Sequence, residues 1–282
     1  MRVAKHKLMK INSRRCYGFV GALITWIGLG TDLPATTPAP QFYETGYSDI
    51  IEFTSDLYRA LAADQRSQFH PFPVLLENLP TPVAQPRAYF DGAKSLQAVH
   101  VTPNFIALMN SISHAKAIDD VQKGFFKAYV ERLGLETGVE LPRAVQEILQ
   151  TKSWSLETKN YQMSRFNQMV GAVIAIEMAH QYLGHYQKYA DQLVDALGQP
   201  VAINQLVTAE EWHQAVLEGA QKALDCGLGV EGLEVLYDSI GAMPKRPAWT
   251  LYFLPAKAKA SKIKRDLNKL EKDFFLKKSG RS

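Results

Sequence analysis

Residues 155–197, SLETKNYQMSRFNQMVGAVIAIEMAHQYLGHYQKYADQLVDAL, form the longest helix-compatible stretch of the chain, and its middle segment MVGAVIAIEMA is apolar on every side of a helix. A helix without a polar face has to be covered on all sides, so the remaining elements must wrap around it. This predicts a mainly α-helical domain built on a long buried central helix. One ionisable residue interrupts the apolar run. Glu177 follows VGAVIAI directly, and a carboxyl group in such a setting must be paired, bound to metal or protonated. His180 lies three residues on, about 60° around the helix, and shares a face with Glu177. His185 is five residues past His180, about 140° away, and joins them only if the helix ends near Gly184.

Weaker signals place the other elements. FYETGYSDIIEFTSDLYRALAADQRSQF (42–69) has helical spacing over much of its length. Residues 70–92 hold five prolines and read as loop with short extended pieces. AVHVT (98–102) alternates and is the best strand candidate, with Asp91-Gly92 placed to turn a hairpin before it. Thr102 and Pro103 read as N-cap and first residue of the next helix, which Gly124 divides. Pro142 opens a helix over 142–151. Thr208 and Glu211 form a capping box for a helix that stops at Gly227, followed by a shorter helix over 230–240 and a basic tail helix. The expected class is α+β, mainly helical, with a small β-hairpin at its edge.

Charge and hydropathy divide the chain into three parts. Residues 1–15 carry six basic side chains and no acid, and CYGFVGALITWIGLG (16–30) is apolar. This pattern describes a secretory signal peptide, with an uncleaved membrane anchor as the alternative. Cys16 opens the apolar run instead of closing it, which argues against lipoprotein processing. The protein is therefore read as exported and bacterial, periplasmic or secreted, or anchored through residues 16–30. Residues 256–282 hold ten bases and three acids, a net +7, which leaves residues 31–255 at −9. An acidic body with a basic tail allows contact with an anionic membrane surface, and export makes nucleic acid a poor partner. Beyond the leader Cys226 stands alone, so a disulfide within residues 31–282 is excluded.

IEMAHQYLGHY resembles the metal-binding helix of the gluzincin zinc metallopeptidases, specifically the HtpX and CAAX-prenyl-protease type. Their H-E-x-x-H motif uses two histidines one turn apart to hold zinc and a glutamate to activate its water. Against that pattern the chain supplies Glu177, His180 and the trailing Gly184-His185, with Ile176 where the first ligand belongs. PRAYFDGAKSLQAVHVTPNFIALMN is similar to the family's hairpin and following helix. The later glutamate motif has a blurred counterpart in Glu211, with Ala215 where an aspartate would stand. The resemblance spans residues 86–240. It implies a zinc cofactor, Glu177 as the catalytic base, His180 and Glu211 as metal ligands, and His185, His114 or His100 as substitutes for the lost histidine. It also implies a peptide or protein partner, cut if the site is active and merely bound if it is not.

Two other readings stand beside it. E-x-x-H occurs at Glu177/His180 and again at Glu210/His213, the spacing used by di-metal helical bundles. Glu52, Glu131 and Glu147 would be candidates for the further carboxylates. Alternatively, Glu177 and His180 are satisfied polar residues in the core of a metal-free envelope scaffold, and Tyr182, Tyr186 and Tyr189 are packing residues.

Overall fold

The computed structural model describes residues 42–79, 81–91, 94–135, 155–196 and 201–280. In chain order these form α1 (Phe42–Ala60), α2 (Ala63–Arg66), β1 (Phe69–Leu76), β2 (Ala84–Asp91), β3 (Lys94–Val101), α3 (Pro103–Val121), α4 (Phe125–Leu133), α5 (Leu156–Tyr182), α6 (His185–Lys188), α7 (Ile203–Leu206), α8 (Ala209–Asp225), α9 (Glu231–Ala242) and α10 (Ala260–Lys278). Two 3-10 turns, Ala190–Gln192 and Ala248–Tyr252, complete them. The fold is α+β and mainly helical. The leader, and the helix expected over 142–151, lie outside the described residues.

Helix α5 is the buried centre. Every residue from Met169 to His180 is buried, and α1, α3, α8, α9 and β2 all pack on it. Its start is fixed by Ser155, whose hydroxyl accepts from the Thr158 amide. Arg165 ties α5 to two neighbours at once, through Asp120 on α3 (2.8 Å) and Glu231 on α9 (3.1 Å). Two helices approach its backbone closely: a Cβ added to Gly219 of α8 would stand 2.5 Å from the Ile176 backbone nitrogen, and one added to Gly232 of α9 would stand 2.5 Å from the Met169 nitrogen. Only glycine lets α8 and α9 meet α5 at that depth.

The sequence signals at helix ends correspond to real caps. Thr102 accepts from the Phe105 amide with Pro103 opening α3, Gly124 caps α4 with φ 91°, and Thr208 and Glu211 close the capping box of α8. The long helical stretch, however, ends at Tyr182 and not near 197. Gly184, at φ 79°, turns the chain before α6 begins.

The sheet exceeds the expected hairpin. β2 and β3 pair antiparallel from Ala84↔Val101 to Asp91↔Lys94, and β1 adds a parallel strand on the other side of β3, in the order β1-β3-β2. The prolines that made 70–92 read as loop mark the β1 irregularity between Phe69 and Val74, because proline cannot donate to a ladder. Helix α10 docks on α8 and α9 through buried Ile263 and Leu267, and belongs with the rest of residues 40–282 to one compact unit. No described helix is long and apolar enough to cross a membrane.

Candidate functional site

The turn at Gly184 decides the local chemistry. It folds α6 back along the end of α5, so that consecutive residues of α6 meet the two polar residues of the apolar helix. His185 reaches His180, their Nδ1 atoms 2.9 Å apart, and Tyr186 donates its hydroxyl to Glu177 Oε2 at 2.5 Å. Glu177, His180, His185 and Tyr186 are all buried. The chain thus supplies partners for its own buried groups from the residues that follow the motif.

Burial dominates the electrostatics. It raises the Glu177 carboxyl to about 8, against the opposing effect of the Tyr186 hydrogen bond, so Glu177 is mostly protonated at neutral pH. Burial, reinforced by His185, pushes His180 down to about 3, and burial also lowers His185. Both imidazoles are therefore neutral, and one donates its Nδ1 hydrogen to the other. The Asn204 side chain on α7 favours a proton on His180, although His180 Nε2 makes no full hydrogen bond. Asn204 itself donates to the Tyr252 carbonyl at 2.9 Å.

The remaining candidates are distributed. Glu211 sits in the first turn of α8, where it accepts from Lys188 Nζ (2.6 Å), the Tyr189 hydroxyl (3.0 Å) and the Thr208 amide (2.8 Å). Burial opposes its charge, but these bonds prevail and hold it at about 2. It is near enough to His180 and His185 to act on both electrostatically. His114 is buried on α3, and His100 on β3 lies 3.5 Å from Glu77. His213 pairs with Asp266 of α10 at 2.8 Å, so the second E-x-x-H helix directs its histidine to the tail helix.

A zinc ion needs three protein ligands and an open position for water. Among the described residues no three His, Cys, Asp or Glu side chains come together in that way. Ile176 fills the first ligand position against the α8 backbone at Gly219. The cavity bordered by Ile176, Glu177 and Asn204 is about 10 Å³, at the lower bound for a single water. The donor set as placed does not fit an ion with its activated water.

Open space lies instead along β2. A groove of about 600 Å³ is bordered by the four consecutive residues Gln85 to Ala88, with Gln187, Leu193, Val194 and Val201 among the residues that line it. Tyr186 also lines it, so the residue that holds Glu177 belongs to the groove wall. β2 is an outer strand of the sheet. The Thr102 amide donates to the Val83 carbonyl at 3.0 Å. In an antiparallel ladder such bonded pairs alternate with non-bonded ones, which turns the backbone groups of Ala84, Pro86 and Ala88 away from β3. Pro86, which has no N–H, stands where none is needed for pairing.

The sequence pointed to Glu177 and His180 through their apolar setting. It missed Tyr186 and Tyr189 as partners, and it missed the groove. The signal for Tyr186 was Gly184, since only a chain reversal there brings it to a residue nine positions earlier. No protein-family model matches the chain, and no curated protein or solved structure is significantly similar to it.

Proposed function

We propose that this chain is an exported, metal-free and non-catalytic relative of the gluzincin peptidases, which binds extended peptide or protein segments along the outer edge of β2. The observation that carries this reading is the groove itself: it follows four consecutive residues of an outer strand whose outward backbone groups are free of β3. A peptide in extended form adds to such an edge by main-chain hydrogen bonds, and side-chain pockets then select its sequence. Arg87, Gln187 and the apolar Leu193 and Val194 would set that selectivity.

The supporting observation at the motif is geometric. A general base must be close to a bound water. Glu177 is buried, takes the Tyr186 hydroxyl and borders a cavity of only about 10 Å³, which suits a core residue.

One observation favours the peptidase with an altered ligand set: His180 and His185 stand together, with Glu211 nearby. That version requires Glu211 to leave Lys188 and Thr208, giving up the capping box of α8, a loss of about 1 kcal/mol.

The test is peptide binding by fluorescence anisotropy over a library of extended peptides, with Ala88→Pro as the matched variant. Proline at 88 removes an outward N–H and leaves the β2–β3 ladder intact. The reading predicts saturable binding that weakens at least about tenfold in Ala88→Pro, with stability nearly unchanged. Binding that Ala88→Pro and Val194→Asp both leave intact would contradict it.

A further inference from the structure

We propose that the outward face of α10 is a docking surface for an anionic phospholipid bilayer. The inference is independent of the peptide groove. Helix α10 is held to the body by Ile263 and Leu267, so its opposite side must face outward. That side carries Lys262, Arg265, Lys269 and Lys272, all exposed and confined to an arc of about 80° at 100° per residue. None of the four makes an ion pair or side-chain hydrogen bond among the described residues. Lys264, in contrast, faces the body and pairs with Asp238 of α9 at 2.6 Å.

The acids of the helix are placed differently. Asp266 is taken up by His213 of α8, and Glu271 is half-buried towards the Val230 amide. Asp273 is the one exposed acid among the described residues of α10. The four cations make no ion pair among the described residues, and Asp273, one turn beyond Lys269 at the edge of the stripe, is the one acid that faces solvent beside them.

Its end decides between phosphate sources. Leu276 continues the stripe one turn beyond Lys272, and beside it Phe275 is 56% exposed. Lysines with an exposed leucine and phenylalanine match the boundary between lipid headgroups and acyl chains. A nucleic-acid backbone rewards only the cations. The acidic body, −9 over residues 31–255, would be turned away from the membrane by the same field that attracts the helix.

The experiment is co-sedimentation of the full chain with vesicles of pure phosphatidylcholine and with vesicles containing about 30% phosphatidylglycerol, where the anionic lipid supplies the surface potential. The quadruple variant K262Q/R265Q/K269Q/K272Q and the pair Phe275→Ser with Leu276→Ser are compared with the parent. Any affinity contributed by residues 16–30 is common to all three, and only the difference between lipids is read. The expected result is a preference for the anionic vesicles that falls on the order of a hundredfold in the quadruple variant, weakens in the serine pair and is suppressed by salt. Equal binding to both lipids by the parent, or an unchanged preference in the quadruple variant, overturns the proposal. So does duplex DNA that competes the chain off anionic vesicles at equal phosphate concentration. All substituted residues are exposed or at the helix end, and thermal melting of each variant establishes that the fold is kept.

Discussion

Glu177 is raised to about 8 in the folded chain, against an ordinary 4.5, and this makes stability depend on pH in a defined direction. Below the lower value the carboxyl is protonated in both states and the folded state bears no penalty. Between about 4.5 and 8 the unfolded chain loses the proton and the folded chain keeps it, so stability falls as pH rises. His180 acts in the opposite sense, because its folded value of about 3 lies below the ordinary 6.5. Its contribution is complete above about 6.5 and is lost as pH falls towards 3. Where the two windows overlap the slopes oppose each other, and the lowered His185 adds to the His180 side, which predicts greatest stability near pH 6.5, at the upper end of the overlap, with a decline on either side. Glu177→Gln is the informative substitution. The amide keeps the partner of Tyr186 and removes the titration, so unfolding free energies from urea titrations should match the parent near pH 5 and exceed it at pH 9 by several kcal/mol, at about 1.4 kcal/mol per pKa unit. A variant less stable than the parent at pH 9 would show that the folded state favours the carboxylate over the neutral acid, contrary to a raised Glu177. Only part of this was legible in the sequence. The need for a partner followed from the apolar run around Glu177. Which partner did not, because Tyr186 stands at no helical interval from it.

At the level of elements, two helices and one strand edge carry the account. The contact between α5 and α8 depends on Gly219, where a Cβ would fall 2.5 Å from the Ile176 nitrogen and 2.6 Å from its Cα. Backbone cannot yield as a flexible side chain does, so Gly219→Ala should cost about 2–4 kcal/mol in chemical denaturation, as overpacking of a rigid interface. A loss under about 0.5 kcal/mol would mean that the helices are not in intimate contact there. This contact also explains the isoleucine of the motif. Position 176 faces the close crossing of two helices, where an apolar side chain is required. The caps of α3, α4 and α8 were readable because each depends on one residue at one position: Thr102, Gly124, Thr208. β1 was not, since Pro71 and Pro73 suppress the local strand signal and its pairing with β3 is decided by residues more than twenty positions away. The groove beside β2 was invisible for the same reason, as it joins Gln85–Ala88 to residues near 190 that only the folded chain brings together. Ala88→Pro tests that edge directly.

For the molecule as a whole, polar groups are distributed over the core and two surfaces. The core takes in Glu177 bonded to Tyr186, and His180 bonded to His185. The β2 edge turns the backbone of exposed Ala88 away from β3, and α10 presents unpaired cations. The overall class was legible because a helix apolar on all faces dictates a wrapped, mainly helical fold. The role of the motif helix was not, because H-E-x-x-H chemistry and core packing use the same residue types and differ only in what stands beside them. The most direct test of the account is zinc content by mass spectrometry on residues 31–282, prepared without a histidine tag, saturated with zinc and then dialysed. The account predicts well under one zinc per chain, unchanged in His180→Ala. About one zinc per chain, abolished by His180→Ala, would contradict it and assign the buried histidines to a metal site.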